Sequence, residues 1–387
     1  MKIAHFAPFV PSRSGMYEAA ADMVKADCIA GHDARFVDTG LPEAGQAASA
    51  GQVNKRGDFI LTTVDQTEVR DADVIVAHTG IPDGWIVGTE APIIWILHGR
   101  PRDCFLTELG SAIATRSLAL FQTVAGWPRT RRLITMWPEH LPYWQTGLPA
   151  AKVELIDALP IDRERFQPAG PVHQFPDELC GEFNVLISDA WRSDTDIFST
   201  ACAACRAAEQ VPGLRVHFIS VAFDETTGRA APVCEWFFQR LRDLGALGEV
   251  HGRINDMPEL YRAMDAVITP HSIATRTVVE PLCCGTAVVA APPCGLTPYT
   301  AVPHDLEAVA AQIVRVIGQI KERGRVTWRQ EFTKRTAHGL TKFSLDVFGT
   351  TMNAVYERAL AGEPSPTGAR TESASLPDSP GSPSQGE

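Results

Sequence analysis

One carboxylate, Glu280, stands inside the otherwise apolar segment TPHSIATRTVVEPLCCGTAVVAAP, which runs from Thr269 to Pro292. A charge in such a setting needs a partner, and a bound ligand is one kind of partner. Arg276 lies four residues earlier, so on a helix the two side chains share a face and could form an internal ion pair. His271 follows the apolar run Ala266–Thr269, at the strand end where open parallel sheets bind ligands. His98 ends another apolar run, Ile93–Leu97. A lone histidine at a strand end is most simply a structural residue.

These residues need a scaffold, and the local pattern supplies one. Leu282, Cys283 and Cys284 read as an apolar helix end. Gly285 stops that helix, since glycine takes a left-handed cap without steric cost, and Ala287 to Ala291 reads as a buried parallel strand. At the N-terminus, Lys2 to Phe6 predicts a strand, Pro8 to Gly15 a loop, Met16 to Ala30 a helix and Ala34 to Val37 a second strand. Apolar runs follow at Phe59–Thr62, Val74–Ala77, Ile93–Leu97, Leu118–Thr123, Leu133–Met136 and Val153–Ile156. Their spacing suits strands and helices alternating around a parallel sheet.

Pro160 to Glu182 has linker composition. A second series then begins: strand Phe183–Ser188, helix Thr195–Gln210, strand Leu214–Val221, helix Pro232–Leu244 and strand Val250–Gly252. Helix Met257–Met264 follows, with Asp256 as its N-cap, then strand Ala266–Thr269. Asp305–Arg323 reads as a helix stopped by Gly324, and Trp328–Leu360 as largely helical. The expected organisation is a first lobe over 1–162, a linker over 163–181, a second lobe over 182–340, a last helix over 341–361 and a disordered Ser/Pro/Gly-rich tail over 362–387. Two sequential α/β series with a linker make a two-lobed molecule with an interdomain cleft.

Several segments together resemble the retaining, glycogen-synthase-like glycosyltransferases (group 1) of the GT-B fold. MKIAHFAPFVPSRSG is similar to that family's first strand and glycine-rich loop, and GHDARFVD to its second strand. LGEVHGRINDMPELYRAMDAVITPH is similar to the run before its donor motif. The motif itself pairs two glutamates eight positions apart; Glu280 falls on the second and Ser272 on the first. The resemblance implies two Rossmann-like lobes facing a cleft, with the C-terminal helix crossing back to the first lobe. It implies transfer of a sugar from a UDP- or GDP-type nucleotide sugar to an acceptor, with retention and without a metal ion or cofactor.

The resemblance also assigns expected roles. Glu280 would hold ribose hydroxyls, with Ser272, Thr277 and Val278 beside it in the donor site. Arg192 would take the diphosphate, or else be a solvated loop arginine; Arg276 is the second diphosphate candidate. Gly15 would let backbone N–H groups approach the donor or acceptor, with Glu18 three residues on as either a site residue or a first-turn carboxylate. Gly252 and Arg253 would lie beside the nucleotide base, and His98 and His271 beside the reacting sugar. A non-catalytic nucleotide-sugar-binding protein and a nucleotide-sugar epimerase are the alternatives on the same fold.

Composition sets outer limits. The chain has 387 residues, 45% hydrophobic and 21% charged, which fits two globular domains. A net charge of −11 argues against broad affinity for nucleic acid or anionic membrane. No apolar run reaches the roughly 20 residues of a membrane span, and no signal peptide is read at the N-terminus. Nine cysteines without a metal-like or disulfide framework fit a reducing cytoplasm, and Cys202 and Cys205 read as small helix residues. The cluster Trp127-Pro128-Arg129-Thr130-Arg131-Arg132 reads as a solvated helix end, or else as a peripheral contact for an anionic acceptor or membrane.

Overall fold

The structure is a computed structural model. It describes residues 1–7, 15–38, 54–56, 60–63, 71–78, 89–98, 122–188, 197–219, 223–224, 229–230, 232–251, 254 and 256–366.

Among these residues the first lobe is built on an eight-stranded sheet. Its strands are β1 (Lys2–Ala7), β2 (Asp33–Asp38), β3 (Asn54–Arg56), β4 (Ile60–Thr63), β5 (Val74–His78), β6 (Ile93–Ile96), β7 (Thr130–Thr135) and β8 (Val153–Leu155). The order is β3-β4-β2-β1-β5-β6-β7-β8, parallel except for the β3–β4 pair. The runs VIVAH and IIWI are buried throughout, as strands covered on both faces must be. Helix α1 (Gly15–Ile29) follows β1, and helix α2 (Leu141–Gly147) precedes β8.

The second lobe carries β9 (Phe183–Ile187), β10 (Leu214–Phe218), the short antiparallel pair β11 (Phe223–Asp224) and β12 (Arg229–Ala230), then β13 (Leu247–Val250), β14 (Ala266–Ile268), β15 (Ala287–Ala290) and β16 (Tyr299–Thr300). Its six-stranded sheet runs β13-β10-β9-β14-β15-β16, all parallel. Both sheets reverse direction of growth beside their first strand, at β1/β5 and at β9/β14. Ligands of doubly wound sheets sit at such switch points, beyond the strand C-termini.

Helices α3 (Ile197–Gln210), α4 (Pro232–Asp243), α5 (Met257–Ala263), α6 (Arg276–Cys283), α7 (Leu306–Arg323) and α8 (Arg325–Thr336) belong to the second lobe. The last helix, α9 (Leu345–Ala361), crosses back and packs on α1. The contact is close at Gly349, where a Cβ atom would lie 2.7 Å from the carbonyl oxygen of Ala26. The crossing is fixed further by an ion pair from Arg358 to Glu154, and Glu154 also pairs with Arg132 at 3.2 Å.

The sequence expectation of a two-lobed α/β molecule with a returning C-terminal helix is met, and several details differ. The strand expected at Val250–Gly252 lies at Leu247–Val250, where LGEV carries too few apolar residues to mark it. Asp256 stands at the N-cap of α5, but its side chain makes no capping bond. The Trp127–Arg132 cluster begins at the end of the helical stretch 122–126, as expected, but its second half is strand and not solvated helix end. Thr130–Thr135 is strand β7, Arg132 is 3% exposed and paired with Glu154, and Arg129 donates to Thr89 at 2.7 Å. The tail expected from Gly362 does not begin there: Ser365 is buried and donates from N and Oγ to the carbonyls of Ala151 and Val153, at 3.3 and 3.0 Å. The tail beyond residue 366, and most of the run Leu118–Thr123, lie outside the described residues.

Candidate functional site

The lobes meet where helices α1 and α6, each following a central strand of its own sheet, face one another. The segment after β14 bends through Pro270–Thr275 and starts α6 at Arg276. The N–H groups of Arg276 and Thr277 have no carbonyl partner among the described residues, as first-turn amides do not. Thr275 and Thr277 hydroxyls bond each other at 2.8 Å. Gly285 closes the helix at φ 75°, and a Cβ there would lie 2.7 Å from Thr333 Oγ1, so glycine is required twice over.

Arg276 is the centre of this region. Its Nη1 donates to Asp22 Oδ2 on α1 at 2.6 Å and to the carbonyl of Pro160 at 3.3 Å. Its Nη2 lies 2.5 Å from Glu280 Oε1, one helical turn along α6. The latter contact is an ion pair without an aligned hydrogen bond, since Nη2 lacks a partner of proper angle. Burial disfavours the guanidinium charge, but Glu280 and Asp22 outweigh it and raise the Arg276 pKa, so the residue stays charged. Burial in turn raises the pKa of both Glu280 and Asp22, with Arg276 opposing in each case. Around this core, Arg165 meets Glu18 at 3.5 Å and Lys25 meets Asp162 at 2.7 Å. Trp137 adds a further contact between the lobes, donating from Nε1 to the carbonyl of Ala274 at 3.1 Å.

His98 stands two residues beyond β6 and is 8% exposed. Burial, with the charge of Arg276 as a second cause, lowers its pKa to about 3. The imidazole is therefore neutral at physiological pH. His98 Nε2 is 2.8 Å from His78 Nδ1, and His78 Nε2 is 3.0 Å from His5 Nδ1. Burial, then His98 and His5, push the pKa of His78 well down. His5 Nε2 is 2.8 Å from Asp27 Oδ2, which also accepts from the Tyr356 hydroxyl at 2.7 Å. His5, His78 and Asp27 are fully buried.

The structure thus brings His98, Arg276 and Glu280 into one neighbourhood. His271 and Ser272 sit half-buried in the segment that leads into α6, with Thr277 and Val278 in its first turn. The His271 N–H donates to Thr269 Oγ1 at 3.3 Å, and its carbonyl accepts from Ala291. Gly15 begins α1. Arg192, Gly252 and Arg253 lie outside the described residues. Arg276 forms the ion pair with Glu280 that its spacing suggested, and the contact extends to Asp22. Asp22, His5, His78, Asp27 and Tyr356 were not singled out by sequence reasoning. Their one signal is polarity at positions whose neighbours are apolar, as in KIAHFA and VIVAH.

Among the described residues one cluster has metal-ligand spacing, His173, Glu249 and His251, with ligand atoms within 4.8 Å of one another. A hydrogen bond of 3.0 Å from His173 to Glu249, and a 3.4 Å contact from His251 to Glu249, already hold these side chains together. Cys202 and Cys205 lie on α3 as free thiols, with burial raising Cys205 to about 11.

No protein-family model matches the sequence, and no curated protein matches it. Solved structures do match over nearly the whole chain. A sucrose-phosphate synthase from Thermosynechococcus elongatus aligns at a TM-score of 0.67 and 14% identity, over 94% of this chain and 100% of its own. HepE from Anabaena, in complex with UDP-glucose, aligns at 0.61 and 16% identity, over 92% and 99%. A glycosyltransferase from Rickettsia africae aligns at 0.61 and 12% identity, over 93% and 98%. The fold is that of the GT-B glycosyltransferases, two Rossmann-like lobes in one chain.

Proposed function

We propose that the protein is a glycosyltransferase that moves a sugar from a UDP- or GDP-type nucleotide sugar to an acceptor. One observation carries the reading: neutral His98 of the first lobe and the Arg276–Glu280 pair of the second meet at the strand C-termini of two doubly wound sheets. HepE, a structural neighbour over its full length, is solved with UDP and with UDP-glucose, which supports the same ligand class here.

In this reading the second lobe holds the nucleotide. Glu280 accepts from the ribose hydroxyls, and Ser272, Thr277 and Val278 line the sugar and phosphate side. The unpaired amides at the start of α6, with Arg192, meet the diphosphate as it leaves, because a helix N-terminus favours an anion. Gly252 and Arg253 flank the base. Gly15 and His98 form the opposite wall, and His271 stands where the missing first glutamate of the motif would reach the sugar. Charge neutralisation by amides and arginine leaves no step that calls for a metal ion, and we take the transfer to proceed with retention. Seven free cysteines among the described residues fit a reducing compartment such as the cytoplasm. No helix among them is long and apolar enough to cross a membrane.

Release of nucleoside diphosphate from a panel of UDP- and GDP-sugars tests the proposal, and consumption of none of them would refute it. One observation favours a second reading. Glu280 is already engaged by Arg276, and Ser272 stands in place of a glutamate. A protein that binds nucleotide sugar without turnover fits both facts, and binding without diphosphate release in the same panel would select it.

A further inference from the structure

We propose that Tyr356, Asp27, His5 and His78 form a buried positioning relay that fixes His98 as its Nε2–H tautomer and so offers His98 Nδ1 as a hydrogen-bond acceptor to the bound sugar. The role of the sugar rests on the function proposed above; the tautomer does not.

The relay follows from counting protons along an unbroken line of short contacts. The Tyr356 hydroxyl is 2.7 Å from Asp27 Oδ2, and burial together with Asp27 raises its pKa well above its ordinary value, so it donates. Asp27 Oδ2 accepts from Tyr356, and in the proposed relay it accepts as well from the His5 nitrogen 2.8 Å away, which places the His5 proton on Nε2. The relay takes His5 with this single proton, which leaves its Nδ1 as an acceptor. The partner 3.0 Å away, His78 Nε2, then donates, and His78 Nδ1 accepts in its turn. The last link, 2.8 Å to His98 Nε2, places the His98 proton on Nε2. His98 Nδ1 is left with a lone pair and has no protein partner among the described residues. Each ring nitrogen along the line then has one role, set from Asp27 Oδ2, while Asp27 Oδ1 is buried without a hydrogen-bond partner.

The fold gives this line a direction. His5 is on β1, His78 ends β5 and His98 lies just past β6, so the line steps across three neighbouring strands toward the sheet's C-terminal edge. Its origin is held by α1, through Asp27, and by the returning helix α9, through Tyr356. Wholly buried imidazoles such as His5 and His78 gain no obvious stability over apolar residues of the same volume, whereas a relay gives them a task. A triad aspartate acts likewise: its exchange for asparagine keeps the geometry, presents the wrong histidine tautomer and costs about 10⁴-fold in kcat.

Ring-nitrogen ¹H–¹⁵N correlation spectra of the full ¹⁵N-labelled chain at pH 7.5 test the proposal directly. The His98 signals are assigned by their disappearance in His98→Gln. The expected result is a protonated Nε2 and a bare Nδ1 on His98. A protonated Nδ1 overturns the proposal. In Asp27→Asn the amide can donate to His5, so the line reverses and His98 Nδ1 becomes protonated; an unchanged His98 tautomer in this folded variant also overturns it. Where the wild type turns over a nucleotide sugar, Asp27→Asn lowers kcat by about tenfold or more, as loss of one well-placed hydrogen bond does, with KM for the nucleotide sugar changed less. Equal loss in kcat and in nucleotide affinity would contradict a positioning role. A wild type that consumes no nucleotide sugar yet shows the expected tautomer removes the transferase reading and keeps the relay. Should Asp27→Asn fail to fold, the wild-type spectrum alone still decides.

Discussion

Arg276 of the second lobe bonds Asp22 of the first at 2.6 Å, across 254 residues of sequence. The same guanidinium holds Glu280 at 2.5 Å, so one cation ties the expected ribose carboxylate to the opposite lobe. Any ligand that recruits Glu280 or Arg276 therefore acts on the contact between lobes.

This relationship has a stability consequence. Removing one member of a buried pair leaves its partner uncompensated, at about 3–5 kcal/mol. Arg276→Ala and Asp22→Asn are each expected to lower unfolding free energy by this order in urea titrations. The double variant should lose less than the sum of the two, because the second change removes a charge already orphaned. Additive losses would show that the pair is not coupled.

The helix crossing gives an independent prediction. A Cβ at position 349 would sit 2.7 Å from a backbone oxygen, which has no rotamer by which to move aside. Gly349→Ala should cost about 1–3 kcal/mol by overpacking, despite its gain in helix propensity. A melting temperature at or above that of the wild type would mean that α1 and α9 lie farther apart than described.

Much of the architecture was legible in the sequence. Short apolar runs marked β1, β5, β6, β9, β14 and β15 because buried parallel strands are apolar on both faces. The spacing of Arg276 and Glu280 gave their pairing. Asp22 was not legible, because a contact between lobes leaves no local pattern. The basic run at Arg129–Arg132 misled for a related reason: its internal partners, Thr89 and Glu154, stand on other segments. His5 and His78 looked like isolated strand polars, and only the pairing of β1 with β5 makes them neighbours.

Acid should destabilise the fold through its buried histidines. Burial lowers His98 and His217 to about 3 and His78 well below its ordinary value. An unfolded histidine titrates near 6.5, so between about pH 6.5 and pH 3 the unfolded chain binds more protons and stability falls as pH falls. Asp22 and Glu280 have raised pKa values and act in the opposite sense at the acidic end, near and above the unfolded carboxylate range of about 4. Just below about pH 6.5, where the histidines of the unfolded chain begin to protonate, melting temperature should rise with pH. A flat or falling profile there would contradict neutral burial of these rings.

His98→Ala and His271→Ala separate the two histidines from the nucleotide. Each is expected to lower turnover about tenfold or more while changing the dissociation constant of the bare nucleoside diphosphate about twofold at most, since each is assigned to the sugar. Single-turnover kinetics with parallel binding titrations read both quantities. Unchanged turnover in either variant would remove that residue from the site.

The central claim is that Glu280 marks a nucleotide-sugar site, and titration calorimetry with UDP, GDP and their sugars tests it most directly. The account predicts one-to-one binding of one nucleotide family, weakened about tenfold or more in Glu280→Gln, which keeps the volume and removes the charge-assisted bonds to ribose. Absence of binding by every nucleotide and nucleotide sugar at millimolar concentration, or binding that Glu280→Gln leaves unchanged, would contradict it.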